Sequence, residues 1–281
     1  MKSENILIIG GTGKTGRRVV KHLINKGIEP RIGSRNASPC FDWDNQDTWE
    51  DALTGMEKMY VTYYPDLAVP GAKKAIQSLT QTAKQLGVKK IVLLSGKGET
   101  EAEACEKIVM NSGLDYTLVR ASWFNQNWSE SFFLEPILSG EVALPLSDVV
   151  IPFVDADDIA EVAATVLLDD SYNDEIIEVT GPESITFKDA VQMISKASSS
   201  NLTFHEIALQ QYIDDMKQMQ VPNDVIWLIG YLFSHVLTNP NNQTVTHDIE
   251  RVLGRKAKTF STYAKETAKT GIWDRTLIEN S

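Results

Sequence analysis

Long hydrophobic runs are absent from this chain of 281 residues. A membrane-spanning helix needs about 18 consecutive apolar residues, and no such stretch occurs. The N-terminus also lacks the basic segment and apolar core of a secretory signal. An apolar strand pattern begins instead within a few residues of Met1. The sequence therefore predicts a cytoplasmic protein with no membrane partner.

Cysteine and histidine are scarce. The two cysteines, Cys40 and Cys105, belong to no spacing motif, which is typical of free thiols in a reducing compartment. The four histidines are scattered, and none is paired with another histidine or cysteine at the spacing of metal ligands. We therefore expect no metal site.

Positive charge is in deficit as well. The chain has 27 basic and 38 acidic side chains, which gives a net charge of −11. Because a nucleic-acid surface needs a basic footprint, we expect no nucleic-acid partner. The net charge does not exclude a protein partner. Nothing in the sequence indicates the oligomeric state.

The most informative feature is the start of the chain. Asn5–Ile9 is a short apolar run that predicts a buried strand, and Val19, Val20 and Leu23 have helical spacing. The turn Gly10-Gly11-Thr12-Gly13-Lys14-Thr15-Gly16 lies between them. Strand, glycine turn and helix form the context of a dinucleotide-binding fingerprint, although the spacing is G-x-x-G-x-x-G. Gly10 allows a tight turn, Gly13 lets a pyrophosphate approach, and Gly16 lets the helix pack closely.

The second predicted strand, Glu29–Gly33, refines the cofactor. It ends at Ser34-Arg35, where a site specific for NAD usually has an acid that binds the ribose 2′-hydroxyl. A carboxylate would repel a 2′-phosphate, whereas a guanidinium can bind one through two charge-assisted hydrogen bonds. We interpret the cofactor as NADP(H). The alternative is that Arg35 is a solvated loop arginine.

Strand and helix patterns then alternate as far as residue 121. The predicted strands are Asn5–Ile9, Glu29–Gly33, Cys40–Asp44, Met56–Tyr63, Lys89–Ser95 and Tyr116–Arg120. This alternation predicts an α/β Rossmann fold with a doubly wound parallel sheet, and the length of the chain leaves room for a smaller lobe. We expect an NADP-binding domain over 1–150, and a region over 151–281 that completes the Rossmann core and forms the lobe.

Ligands of such sheets bind beyond the carboxyl ends of the strands. The residues at these ends form the predicted cofactor site: Gly10, Thr12, Gly13, Lys14, Thr15, Gly16, Ser34, Arg35, Thr62, Tyr63, Tyr64 and Ser95.

Ser95 is also the candidate catalytic residue. A hydroxyl at this strand end can stabilise a developing oxyanion or contact the nicotinamide amide, while the alternative is a serine that caps the next turn. We expect Lys97, which follows closely, to be a solvated lysine. Trp123, Phe124 and Trp128 lie beyond the next strand and are candidates for the substrate pocket, although aromatic clusters more often belong to a core.

Several motifs together resemble the NmrA-like branch of the atypical short-chain dehydrogenases, and within it the festuclavine dehydrogenase type and its bacterial relatives. They are the glycine turn, Ser34-Arg35, Phe41-Asp42-Trp43, the segment 115–120 with Trp123-Phe124 and Asn127, the segment 153–160 and the segment 179–183. The glycine turn is widely shared, whereas Phe-Asp-Trp and the segment 115–120 are more specific. The likeness covers nearly the whole chain.

The resemblance implies an NADP(H)-binding Rossmann domain with a smaller, mostly helical C-terminal substrate lobe. In some members it implies reduction of a small organic acceptor. Other members act as redox sensors through protein partners. Ordinary short-chain enzymes use a Tyr-x-x-x-Lys dyad, and alignment on Glu106 puts Gly98 and Ala102 at its two positions. We therefore expect hydride transfer from NADPH to a conjugated acceptor, a quinone or an iminium ion, without that dyad. The alternative is a non-catalytic NADP(H) sensor.

The residues at the second strand end yield a test. We expect NADPH to bind at least tenfold more tightly than NADH, since a hydrogen bond to a charged group contributes about 1.5–3 kcal/mol. Arg35→Ala should remove most of this preference. Arg35→Lys should keep part of it, because the charge remains while the two-pronged geometry is lost. Calorimetry that gives equal affinities for the two cofactors in the wild type would contradict the NADP(H) interpretation.

Overall fold

The computed structural model describes residues 5–274, so that the outermost ends of the two predicted domains, 1–4 and 275–281, lie outside it. Its strands are β1 (Ile6–Ile9), β2 (Arg31–Gly33), β3 (Lys58–Val61), β4 (Lys90–Gly96), β5 (Asp115–Ala121), β6 (Glu141–Leu144), β7 (Val150–Ile151), β8 (Glu175–Val179), β9 (Ile185–Thr186) and β10 (Thr203–Glu206). Its α-helices are α1 (Gly16–Asn25), α2 (Trp49–Leu53), α3 (Ala72–Gln85), α4 (Thr100–Met110), α5 (Leu134–Ser139), α6 (Ala156–Leu168), α7 (Phe187–Ser198), α8 (Leu209–Gln218), α9 (Asn223–Tyr231), α10 (Asp248–Leu253) and α11 (Phe260–Ala268).

A six-stranded parallel sheet forms the centre of the first of two compact units, which comprises 1–121, 156–179 and 248–255. The strand order is β2-β1-β3-β4-β5-β8. Strand β1 pairs with β2 on one side and β3 on the other, and all four of its side chains are buried. Helices join the successive strands, as parallel pairing requires. The predicted doubly wound Rossmann architecture is confirmed.

The predicted strand over Cys40–Asp44 is wrong. This segment bends, with one bridge between Asp42 and Asn45. The Trp49 indole N–H donates to the Asp42 carbonyl at 2.6 Å, and the ring stacks on Phe41 with centroids 5.6 Å apart. The aromatic side chains thus pack with one another, and the segment pairs with no strand of the central sheet.

The second unit comprises 122–155, 180–247 and 256–281, described to residue 274. It contains α5, α7, α8, α9 and α11 with two small sheets, a parallel pair of β6 and β10 and an antiparallel pair of β7 and β9. Its core is aromatic, with Trp128, Phe133, Phe153, Phe187 and Phe233 all buried. Thr186 caps α7, since its Oγ1 accepts from the Asp189 N–H at 3.0 Å.

The structure divides the chain at residue 121, whereas the sequence prediction divides it at 150. Residues 122–155 cluster with the second unit because Trp128, Phe133 and Ile137 are part of its core. The chain then returns to the first unit for α6, β8 and α10. None of the helices within 5–274 combines the length and apolar character needed to cross a bilayer.

Candidate cofactor and active site

The turn between β1 and α1 is built on glycine. The Gly10 N–H donates to the Gly33 carbonyl at 2.9 Å, and the Gly13 N–H donates to the Gly10 carbonyl at 2.8 Å. Gly10 has φ of +75°, and a side chain there would collide with the Thr62 hydroxyl. The chain therefore leaves β1 in a conformation that only glycine adopts without strain.

Two further glycines let α1 start against this turn. A Cβ at Gly16 would lie on the Gly10 carbonyl and 2.9 Å from Gly11 Cα. A Cβ at Gly11 would meet the Ile32 side chain and the Ile8 carbonyl oxygen, each at 2.9 Å. Gly11 had no assigned role in the sequence analysis, although the doubled glycine was the signal for one.

Gly13 differs because the space beside it is open. It is exposed, and a Cβ there would have only the Gly10 carbonyl oxygen within 4 Å, at 3.1 Å. Helix α1 begins with no side-chain cap, and its Arg17 and Arg18 N–H groups donate to the Gly13 and Thr15 carbonyls at 3.1 and 3.0 Å. The positive end of the helix dipole lies at this turn. This opening fits a pyrophosphate, which binds to such helix ends.

Thr15 has a structural contact within this turn. Its Oγ1 accepts a hydrogen bond of 3.0 Å from the Tyr60 hydroxyl on β3, and both side chains are buried. Burial raises the pKa of Tyr60, which keeps the phenol neutral as the donor. Thr12 is exposed and Lys14 half-buried, so these two side chains are the more accessible members of the predicted turn contacts.

Ser34 and Arg35 form a tight turn directly after β2. The Ser34 carbonyl accepts from the Ala37 N–H at 3.2 Å and from the Phe41 N–H at 3.0 Å. The Arg35 side chain is exposed. This placement leaves the guanidinium accessible to a phosphate, as the prediction for a 2′-phosphate requires.

The end of β3 carries the predicted contacts Thr62, Tyr63 and Tyr64. Thr62 Oγ1 donates to the Ile9 carbonyl at 3.2 Å, which ties it to the end of β1. Tyr63 packs edge-on against Trp43 with ring centroids 4.8 Å apart, whereas Tyr64 is 80% exposed. Burial raises the pKa of Tyr63, and the nearby Asp44 and Cys105 raise it further. The ring of Tyr63 is therefore held in place by packing, whereas the side chain of Tyr64 is exposed to solvent.

Ser95 lies at the end of β4, where the sequence analysis placed it. It is 5% exposed, and its hydroxyl has no hydrogen-bond partner within residues 5–274. Buried hydroxyls are normally paired, so this one has its hydrogen-bonding capacity available to a group bound at the strand end. The register puts Ser95 beside Arg120 of β5, whose guanidinium binds the buried Glu106 carboxylate through contacts of 2.6 to 3.1 Å.

The expectation that Lys97 is solvated is wrong. Its side chain is 5% exposed, with Nζ 3.8 Å from a Glu178 carboxylate oxygen. Burial lowers the pKa of Lys97, the nearby Glu178 partly offsets this, and Arg120 adds to the lowering. This pairing could not be predicted from local sequence because Glu178 comes from β8, far along the chain.

A buried pair of acids near Gly96, at the end of β4, was also missed. Asp66, in the β3–α3 loop, and Glu99, directly before α4, share a hydrogen bond between their carboxyl groups. Asp66 Oδ1 also accepts from the Ala68 N–H at 2.8 Å. Burial raises the pKa of Glu99 well above its usual range, and the Asp66 charge raises it further. Glu99 is therefore the member of the pair whose protonated form is favoured, and in that form it donates to Asp66.

The predicted pocket aromatics lie in the second unit. Trp128 is completely buried, with its ring 4.6 Å from that of Phe133. Trp123 and Phe124 are only partly buried, and Trp123 packs edge-on against Phe233 at 5.5 Å. Trp123 and Phe124 therefore have exposed surface that a substrate can contact, whereas Trp128 has none.

The positions aligned with the usual dyad carry no catalytic side chain. Gly98 has φ of +73°, and Ala102 is buried in α4. Within the part of the chain that the structure describes, no group of three or more His, Cys, Asp or Glu side chains is arranged to bind a metal ion.

Two family models match the chain. The NAD(P)H-binding model matches residues 10–170, and the NmrA-like family model matches residues 100–267. Among curated proteins, the prestalk A differentiation protein A of Dictyostelium discoideum is 28% identical, covering 94% of this chain and 92% of its own. The festuclavine dehydrogenase of Aspergillus fumigatus is 26% identical, covering 93% and 97%.

A solved structure has the same fold over nearly its whole length. The NADPH-dependent quinone oxidoreductase of Escherichia coli, in complex with NADPH, superimposes with a TM-score of 0.78 at 19% identity. The match covers 93% of this chain and 99% of the other. At this identity, the likeness concerns the fold.

The open space at Gly13 generates a prediction. Gly13→Val should abolish NADPH binding while the fold is kept, because the branched side chain would fill the space beside the helix N-terminus. Calorimetry with NADPH checks the affinity, and circular dichroism checks the fold. Gly230→Ala is the matched control, since a Cβ there meets only Ile213 Cδ1, at an ordinary 3.5 Å. Unchanged NADPH affinity in folded Gly13→Val protein would show that the turn has only a structural role.

Proposed function

Because the chain belongs to the NmrA-like family of NAD(P)H-binding oxidoreductases, we propose that it is an NADPH-dependent reductase of a small conjugated acceptor, a quinone or an iminium ion. The main support is the carboxyl edge of the sheet. An open glycine turn there lies beside an exposed arginine, at the strand end where an NAD-specific site has an acid.

Different residues of this edge are suited to different parts of the cofactor. Gly10, Gly13 and Gly16 shape the turn, and the positive N-terminal end of α1 with Thr12 and Lys14 is suited to the pyrophosphate. Ser34 and Arg35 are suited to the 2′-phosphate. Tyr63, Tyr64 and Ser95 border the path towards the nicotinamide. NADPH supplies the hydride, and the protein positions it and excludes water.

The choice of acceptor follows from what the dyad positions carry. Gly98 and Ala102 have no proton to donate, and general acid help is typically worth about 10²- to 10⁴-fold. An iminium ion already has its positive charge and needs only hydride. A quinone delocalises the incoming negative charge over its ring. The names of the two enzymes compared above, a festuclavine dehydrogenase and a quinone oxidoreductase, agree with acceptors of this kind.

Trp123 and Phe124 are proposed as pocket walls for such a flat acceptor. Both are partly exposed aromatic side chains in the segment that follows β5. Orientation of the acceptor can supply much of the rate, because alignment alone converts a bimolecular step into an effectively unimolecular one.

A comparison of acceptors tests the proposed function. We expect steady NADPH oxidation with quinones and cyclic iminium ions, at least tenfold less with matched simple ketones, and no effect of chelators. The measurement is the loss of NADPH absorbance under steady-state conditions. NADPH binding without turnover on any acceptor would favour the non-catalytic sensor instead.

A further inference from the structure

Tyr212, in helix α8 of the second unit, is a tyrosine that the proposed mechanism does not use. It is half-buried, and its ring packs on that of Phe233 with centroids 5.6 Å apart. No residue within 5–274 forms a hydrogen bond with its hydroxyl. Because tyrosine hydroxyls in apolar surroundings usually have a hydrogen-bond partner, this O–H is available to a bound molecule.

Two other buried tyrosines have the usual arrangement. The hydroxyl of Tyr60 donates to Thr15 Oγ1 at 3.0 Å, and the hydroxyl of Tyr263 donates to Ser129 Oγ at 2.8 Å. Burial raises the pKa of Tyr212 to about 12, with no hydrogen bond to oppose the rise. Its phenol is therefore neutral at physiological pH and presents a hydrogen-bond donor.

Phe233 connects Tyr212 to Trp123, one of the proposed pocket walls, and all three residues belong to the second unit. Trp123 packs edge-on against Phe233 with ring centroids 5.5 Å apart, so a single ring separates Trp123 from Tyr212. Phe233 is completely buried, whereas Trp123 and Tyr212 are each partly exposed. The two partly exposed rings therefore cover the same buried ring, and one aromatic molecule can contact both.

The backbone that carries Phe233 is irregular. Residues Leu232–Val236 form a π-helical turn at the end of α9. Such turns are rare, and they occur frequently at functional sites. The turn thus lies at the residue on which both Trp123 and Tyr212 pack, which is an observation independent of the unpaired hydroxyl.

We propose that the Tyr212 hydroxyl donates a hydrogen bond to a carbonyl oxygen of the acceptor, and that Tyr212 thereby selects planar aromatic carbonyl compounds of the quinone class. This inference rests on the proposed reductase function. The ring of the acceptor lies against Trp123, and one of its oxygen atoms accepts from the phenol.

The contact acts on the rate as well as on binding. Uptake of a hydride leaves negative charge on a quinone oxygen, and a hydrogen bond to a charged oxygen is stronger than one to a neutral carbonyl. The transition state therefore gains more from Tyr212 than the bound quinone does. A cyclic iminium ion has no lone pair on its positive nitrogen, so its reduction gains nothing from this donor.

Binding without turnover tests the contact. With saturating NADP⁺ in place of NADPH, calorimetry gives the dissociation constants of dimethylnaphthoquinone and dimethylnaphthalene, which share their fused rings and differ in the two carbonyl oxygens. The methyl groups on the quinone ring prevent addition of the free thiols Cys40 and Cys105. The preference for the quinone should fall about threefold to tenfold in Tyr212→Phe, as expected for a neutral hydrogen bond. It should stay unchanged in the control Tyr116→Phe, which alters a half-buried tyrosine of β5.

Steady-state rates with NADPH give a second readout. Tyr212→Phe should lower kcat/KM for the quinone about tenfold or more, because the bond to the developing anion is charge-assisted. It should leave the kcat/KM of a cyclic iminium ion and the affinity for NADPH unchanged. Circular dichroism checks the fold of each variant.

An unchanged preference for the quinone in folded Tyr212→Phe would overturn the assignment. Equal losses of kcat/KM with the quinone and the iminium ion would overturn it as well, because a purely structural role of Tyr212 affects both acceptors. So would a wild type that binds neither naphthalene compound. A wild type that shows the expected change in preference but oxidises no NADPH would support the hydrogen bond and contradict the reductase function.

Discussion

The whole carboxyl edge depends on how closely α1 approaches the end of β1. The backbone of Gly16 lies against the carbonyl of Gly10, at a distance that leaves no room for a Cβ. This contact directs the first turn of α1 over the sheet and leaves the space beside Gly13 open. Any larger residue at Gly16 would push the helix outward, and the N–H groups that suit a pyrophosphate would move with it.

Buried charge is the second constraint on this edge. Arg120 and Glu106 form a close pair, Lys97 lies near Glu178, and Glu99 bonds to Asp66. Removing ions from water is costly, and such groups persist only where partners compensate them. The first two arrangements pair opposite charges. The pair of acids does not, and burial therefore favours the protonated form of Glu99.

Local patterns in the sequence predicted the parts of the site that are themselves local. The glycine turn, Ser34-Arg35 and Ser95 could be placed because a parallel sheet brings the ends of its strands to one edge. The burial of Lys97 and the contact of Asp66 with Glu99 could not, because each depends on side chains from separate strand ends. Phe41 and Trp43 misled the strand prediction, since aromatic residues favour strands but here pack on Trp49. The burial of Trp128 could not be predicted either, because it packs in a core with side chains from distant parts of the sequence.

Hydride transfer itself is the central claim, and isotope labelling tests it most directly. NADPH deuterated at one face of C4 should be incubated with the protein and a cyclic iminium ion, and the amine product analysed by mass spectrometry and NMR. The account predicts one deuterium on the former iminium carbon from one of the two labelled cofactors, and none from the other. An unlabelled product from both, or no product while NADPH remains bound, would contradict it.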